Sequence, residues 1–196
     1  MIAHAKIVKA APDAEDGLRS LFMDELEKIY WSEKALTGVI PIIIKGSEAP
    51  LLVSSLTSHL EKTKLQISRL EGLFNTLGES PIAIKCGTVY SMIEDMVDFM
   101  EQTNRGAVRD AGIISINQKI EHYKIASYSS LYSFAIILRE EDIAESLLQT
   151  LEEDHESGAE LAGIAETSIN IWPEEDESSA IFKLNGSSPI SNFHLS

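Results

Sequence analysis

Four long stretches of helical hydrophobic periodicity constrain the fold of this chain more than any other feature of its sequence. No region alternates polar and apolar residues as a half-buried strand does. The predicted helices cover about residues 17–45, 49–77, 107–138 and 141–170. About thirty residues separate the second helix from the third, and they include a short amphipathic helix over 88–101. A connection of that length lets the chain cross over along the bundle, so the sequence predicts an all-α, ferritin-like four-helix bundle.

Turn-forming residues and local composition divide the chain into three parts. We expect Pro41 to kink or end the first helix early, Gly78 to cap the second and Pro173 to stop the fourth. The parts are an N-terminal extension, the bundle and a tail, over residues 1–16, 17–170 and 171–196. The tail begins acidic and is then rich in Ser, Asn and Gly, so we predict that it is mobile or loosely docked.

The charge balance narrows the classes of partner. The chain has 16 Lys+Arg against 31 Asp+Glu, a formal net charge of -15. This argues against nucleic acid and against an anionic membrane surface, which both need basic faces, and it suits cations. Cys86 is the one cysteine, which excludes a disulfide framework within the chain and a cysteine-rich zinc site. We see no secretory signal and no apolar run near the ~20 residues of a membrane span, so we expect a cytoplasmic protein.

Polar residues interrupt the apolar stripe of every long helix near its middle. Side-by-side helices bring their middles to the same height, so the sequence predicts one buried polar layer. Unpaired buried carboxylates would cost several kcal/mol each, and therefore a metal ion or a lysine must neutralise them. The interrupting residues are Glu33 in the first helix, His59, Thr63 and Gln66 in the second, Asn117, Glu121 and Lys124 in the third, and Glu152 and His155 in the fourth.

The fourth helix contains a Glu-x-x-His motif formed by Glu152 and His155. Three residues turn a helix by ~300°, so both side chains share a face and can converge on one ion. The same motif also occurs on solvated charged faces, and its alignment with the other helices is what favours ligation. In the second helix, Glu61 is open to both interpretations, an inward ligand or a solvated side chain.

Taken together, the motifs resemble the YciF/YciE stress-protein family of ferritin-like proteins. The resemblance covers about residues 17–170 and rests on LFMDELEKIYWSEK (21–34), HLEKTKLQISRLE (59–71), VRDA (108–111), QKIEHYKIASY (118–128) and LQTLEE (148–153). It implies a ferritin-like bundle, usually dimeric, that is associated with bacterial stress responses. It also implies a suspected carboxylate site of the di-iron type.

The chain departs from the family pattern by gaining positive charge near the predicted layer. Lys62 stands where the family commonly has the second of two acids, and Lys124 stands where it typically has glutamate. The segment Glu61-Lys62-Thr63-Lys64 replaces a Glu-x-x-His that some members show in the second helix. Conversely, His155 completes a Glu-x-x-His that some members lack.

Two hypotheses from different classes follow. In the first, one or two iron or manganese ions are bound in the core, and the activity is at most that of an oxidase or a peroxide-reactive protein. Its ligands are Glu33, Glu121, Glu152 and His155, with Glu61 or His59 from the second helix. In the second, Lys124 and Lys62 neutralise the core carboxylates of a metal-free homodimer, which acts structurally or by binding a partner protein.

Overall fold

The computed structural model describes residues 12–169, and within this range the chain forms five α-helices and no strand. The all-helical prediction is confirmed. The helices are α1 (Pro12–Gly46), α2 (Pro50–Leu77), α3 (Gly87–Gln102), α4 (Ala107–Leu138) and α5 (Glu141–Ile169). The predicted tail and most of the predicted N-terminal extension lie outside the described residues. No helix in this range is long and apolar enough to cross a membrane.

Of the predicted turn signals, Gly78 and Pro41 lie within the described residues, and Pro173 lies outside them. Gly78 adopts a left-handed backbone, with φ 73°, and its N–H donates to the carbonyl of Asn75 at the end of α2. By contrast, α1 continues through Pro41 to Gly46, so of the two expectations for Pro41, a kink or an early end, the early end is wrong. Ile40 and Ile43 on either side are fully buried, and this packing holds the helix together despite the missing N–H.

The four long helices pack in a ring, in which α1 contacts α2 and α4, and α5 contacts α4 and α2. The short helix α3 lies against α4 and α1. Gly112 makes the close approach of α3 possible, because a Cβ atom there would overlap the ring of Phe99. The connection between α2 and α4 is therefore fixed along the outside of the ring.

Two apolar clusters fill the ring, one towards each end. The first cluster joins all four long helices through residues such as Phe22, Leu26, Phe74, Leu131 and Leu147. The second contains Leu36, Ile40, Leu56, Ile113 and Leu161 among others. Each fully buried side chain of this size stabilises the fold by ~1.5–3 kcal/mol. Buried polar residues lie between the clusters.

A buried carboxylate ties the α1–α2 turn to α4. Asp110 is 3% exposed and accepts hydrogen bonds from the backbone N–H groups of Glu48, at 3.1 Å, and Ala49, at 2.7 Å. Arg105 adds a second tie by donating to the carbonyl of Lys45. These contacts fix the relative height of α2 and α4, which sets the layer described next.

Candidate functional site

A layer of buried polar side chains crosses the centre of the ring, and all four long helices contribute to it. The predicted stripes of α1, α2 and α4 are buried along their whole length, so the predicted layer is confirmed for these three helices. Every member of the layer is at most 5% exposed. The members are Glu33, His59, Thr63, Gln66, Asn117, Glu121, Lys124, Tyr128 and Asp154.

The ammonium group of Lys124 lies at the centre of this layer. Its Nζ is 3.0 Å from Asp154 Oδ1 and 3.2 Å from Gln66 Oε1, and it donates a hydrogen bond to each. The same atom lies 3.3 Å from Glu33 Oε1 and 3.9 Å from Glu121 Oε1. Burial by itself lowers the pKa of Lys124, but the three carboxylates raise it well above its ordinary value. Lys124 is therefore a charged ammonium that contacts acids from three helices.

The three carboxyl groups respond differently to this common neighbour. Burial raises the pKa of Glu33 to about 7, and the attraction of Lys124 only partly opposes it. Burial also raises the pKa of Asp154. For Glu121, burial is outweighed by Lys124 and His59, which lower the pKa to about 2. The layer thus makes Glu33 easier to protonate, and Glu121 harder to protonate, than the same side chains in water.

Two further contacts hold the acids in place. The hydroxyl of Tyr128 donates to Glu33 Oε1 at 2.9 Å. His59 Nε2 lies 2.9 Å from Glu121 Oε1, an ion-pair distance that joins α2 to α4. Glu33 Oε2, Asp154 Oδ2 and both oxygens of Glu121 accept no hydrogen bond from any residue that the structure describes. One lysine therefore faces three carboxylates that each keep at least one oxygen without a hydrogen bond.

The polar network continues from the layer to the surface between α2 and α5. Gln66 Nε2 donates to Asp154 Oδ1 at 2.9 Å, so the amide links the acid to the lysine. One turn further along α2, Arg69 forms a two-pronged ion pair with Glu153, with distances of 2.8 and 3.0 Å. Arg69 also donates to Thr150 Oγ1 at 2.6 Å. Such fork-shaped pairs fix orientation, so α5 is held in one rotation about its axis.

That rotation differs from the predicted one. Glu152 and His155 are exposed, and Asp154 between them is the residue of α5 that faces the layer. The predicted stripe began at Leu148, which is 36% exposed, whereas Leu147 is 1% exposed. A single residue turns a helix by 100°, so the stripe through Leu148 predicted the Glu-x-x-His motif inside the layer, whereas the observed stripe through Leu147 leaves that motif on the solvent side.

Two other residues that the sequence analysis placed near the layer, Glu61 as a ligand and Lys62 as a neutralising charge, lie outside it. Glu61 is exposed and pairs with Lys64 at 2.6 Å, so it does not lie in the layer. Lys62 is half-buried at the rim, where its Nζ donates to Ser157 Oγ at 3.2 Å. Of the predicted ligands, the structure brings together Glu33, His59 and Glu121, and it adds Asp154, which the sequence stripe had missed.

The arrangement does not fit a di-metal centre while Lys124 is in place. Among residues 12–169, no group of three or more His, Cys, Asp or Glu side chains is arranged to hold a metal ion. The ammonium lies where the carboxylates converge. Two like unit charges 4 Å apart repel by about 4 kcal/mol at an effective dielectric constant of 20, and a divalent ion doubles this. Lys124 therefore disfavours a metal ion beside it.

The ring of long helices and its central layer define a class, the helical-bundle proteins with charged groups in the core. The chain belongs to the family described as a domain of unknown function, DUF892, whose model matches residues 17–171. The resemblance to the YciF stress proteins is thereby confirmed. Protein YciF of Escherichia coli strain K12 is 31% identical over 154 residues, which cover 78% of this chain and 93% of YciF.

Solved structures give the same relationship. The crystal structure of the E. coli stress protein YciF matches with a TM-score of 0.76 and 30% identity, covering 79% of this chain and 98% of that one. YcfI of Rhodopseudomonas palustris, provisionally described as a structural protein, matches with a TM-score of 0.72 and 32% identity, covering 74% and 92%. A protein of Xanthomonas campestris pv. campestris, with a TM-score of 0.63 and 21% identity, shares the fold.

Proposed function

We propose that this chain is a ferritin-like four-helix-bundle stress protein that works as a metal-free homodimer, in a structural or partner-binding role. The observation that carries the proposal is the Lys124 ammonium, which is completely buried within 3.9 Å of carboxylates from three helices. In this position Lys124 supplies positive charge that a carboxylate core would otherwise have to obtain from a bound cation.

The helix arrangement supports the ferritin-like part of the proposal. Four long helices form a ring, and the long connection between α2 and α4 carries α3 along its outside. The relatives support the stress-related and structural parts of the proposal, since YciF is described as a stress protein and YcfI provisionally as a structural protein. Oxidase chemistry of the di-iron type requires open coordination positions on a metal, and an ammonium group offers none.

Exposed apolar side chains support self-association. Leu51, Leu65 and Ile82 are each more than half exposed, and burying such aliphatic groups in a dimer would remove them from water. We expect the dimer to be cytoplasmic and to bind neither nucleic acid nor membranes, in keeping with the net charge of -15.

A second candidate is a core that binds iron or manganese and reacts with oxygen or peroxide. The unpartnered oxygens of Glu33, Glu121 and Asp154 favour it, because buried acceptor atoms of this kind suit a bound cation. In this alternative the ligands would be these three acids and His59. Glu61, Glu152 and His155 would take part only if their helices rotated.

Elemental analysis separates the two candidates. The protein is purified without chelator, loaded anaerobically with Fe²⁺ or Mn²⁺ and passed through a desalting column, while sedimentation velocity gives its oligomeric state. We expect metal far below one equivalent per chain and a dimer. Stoichiometric metal that is lost in the Glu121→Gln variant would favour the second candidate, and a monomer would overturn the dimer.

A further inference from the structure

We infer that Lys124 occupies a cation position that the surrounding core residues already build, and that this single side chain keeps divalent metal ions out of it. The inference rests on the proposed metal-free function and explains how the chain enforces it. It assigns Lys124 the role of a specificity-determining residue, which decides what kind of cation the core holds.

The first argument is geometric. One oxygen each of Glu33, Glu121 and Asp154 lies within 3.9 Å of a single nitrogen, although the three acids come from three helices. Convergence of acids from separate helices on one point is how bundle proteins arrange ligands for a cation. Here the point of convergence is the Nζ atom of Lys124.

The second argument concerns the atoms that Lys124 leaves unused. Each of the three acids keeps a second oxygen, buried and without a hydrogen-bond partner among residues 12–169. His59 adds an imidazole 2.9 Å from Glu121. Carboxylate oxygens with one imidazole suit Mn²⁺, Fe²⁺ and Co²⁺. The ligand types for a divalent ion are therefore present around Lys124, and the ammonium charge opposes its entry.

The third argument is charge balance. With Lys124 present, one fixed positive charge faces three acids. Without it, the three acids must take up protons or a cation, because uncompensated buried carboxylates are strongly destabilising. His59 borders a shallow cleft between α2 and α5 that is also lined by Ser55, Ser58, Ser157 and Glu160. Through His59 the layer therefore borders this cleft at the surface.

The test compares Lys124→Glu and Lys124→Gln with the wild type and with Lys119→Glu. Lys119 is an exposed lysine on the same helix, so its substitution makes the same change in net charge outside the layer. Each full-length protein is dialysed against Mn²⁺ and, separately, Co²⁺, and bound metal, the Co²⁺ absorption spectrum and the thermal midpoint are recorded. We expect about one equivalent of metal and a raised midpoint for Lys124→Glu, and neither effect for Lys119→Glu.

Each outcome distinguishes this inference from the function on which it rests. Stoichiometric metal in the wild type overturns both. If Lys124→Glu and Lys124→Gln both fold and bind no metal, only the inference is overturned. The inference is also overturned if the double variant Lys124→Glu with Glu33→Gln still binds metal. If both variants are unfolded without metal, refolding in Mn²⁺ supports the inference, and failure to refold in Mn²⁺ overturns it.

Discussion

Asp154 Oδ1 lies 3.0 Å from Lys124 Nζ, and this pair joins α5 to α4 inside the polar layer. Both side chains are at most 1% exposed, so water does not screen the interaction. Glu33 and Glu121 share the same ammonium. Removing the lysine therefore affects more than removing any one of its acids, and the predictions begin there.

Substituting Lys124 with methionine should lower the free energy of unfolding by about 3–5 kcal/mol at pH 7, because three buried carboxylates lose their only fully buried cation among the described residues. The loss should be smaller at pH 5, where the acids can take up protons. Urea denaturation at the two pH values measures both effects. The exposed Lys119→Met is the matched control and should change stability by less than about 0.5 kcal/mol. An equal loss in both variants would contradict a special role for the layer.

Because of Glu33, the free energy of unfolding should decrease as the pH rises from about 4.5 to 7. Its pKa is about 7 in the folded protein against 4.5 ordinarily, so the unfolded chain loses this proton first and the folded state holds it longer. The difference corresponds to about 3 kcal/mol. Glu33→Gln resembles the protonated acid and should flatten the slope in this window. Urea titrations across this pH range measure how the free energy of unfolding changes with pH, and the exposed Glu61→Gln variant is the control. A pH slope that is unchanged in Glu33→Gln would contradict the prediction.

Asp110→Ala should cost about 1–2 kcal/mol, because it removes the acceptor for the N–H groups of Glu48 and Ala49 at the start of α2. Asp110→Asn keeps one acceptor oxygen and should recover part of the loss. Thermal unfolding gives the stability, and amide exchange of residues 48 and 49 reports the local contact. Asp95→Ala, on the exposed side of α3, should change neither measurement.

Gly112→Ala should destabilise the chain by about 1–3 kcal/mol, because the new methyl group overlaps the ring of Phe99 and pushes α3 away from α4. Phe99→Leu should reduce that cost when the two substitutions are combined. Gly38→Ala is the control, since its Cβ meets no atom within 4 Å and alanine favours a helix. Chemical denaturation of the wild type, Gly112→Ala, Phe99→Leu and the double variant completes a double-mutant cycle, and strict additivity would contradict the contact.

The sequence predicted the helices, and it predicted the layer in α1, α2 and α4, because each of these stripes keeps a single phase over about five turns or more. In α5 the adjacent Leu147 and Leu148 allow two phases, and acids occupy positions 152, 153 and 154 in succession. The choice was settled by contacts with other helices, above all Arg69 with Glu153. Such contacts depend on relative helix heights and are not visible in local periodicity.

The position of Lys124 on its stripe was predictable, but the atoms it contacts were not. Whether a metal or a lysine neutralised the layer remained open because the reach of a four-carbon side chain depends on where the facing acids lie. The raised pKa of Glu33 likewise reflects complete burial between helices, which no motif encodes.

A positive charge that is covalently part of the polypeptide cannot dissociate from the folded protein, whereas a bound metal ion can. A bound ion can be lost to a chelator, exchanged for a competing ion or left unfilled when supply is short, and stability then follows its free concentration. The ammonium of Lys124 is present at one copy per chain from the moment of synthesis. Its contribution to folding is therefore the same whether the surrounding medium is starved of metals or flooded with them.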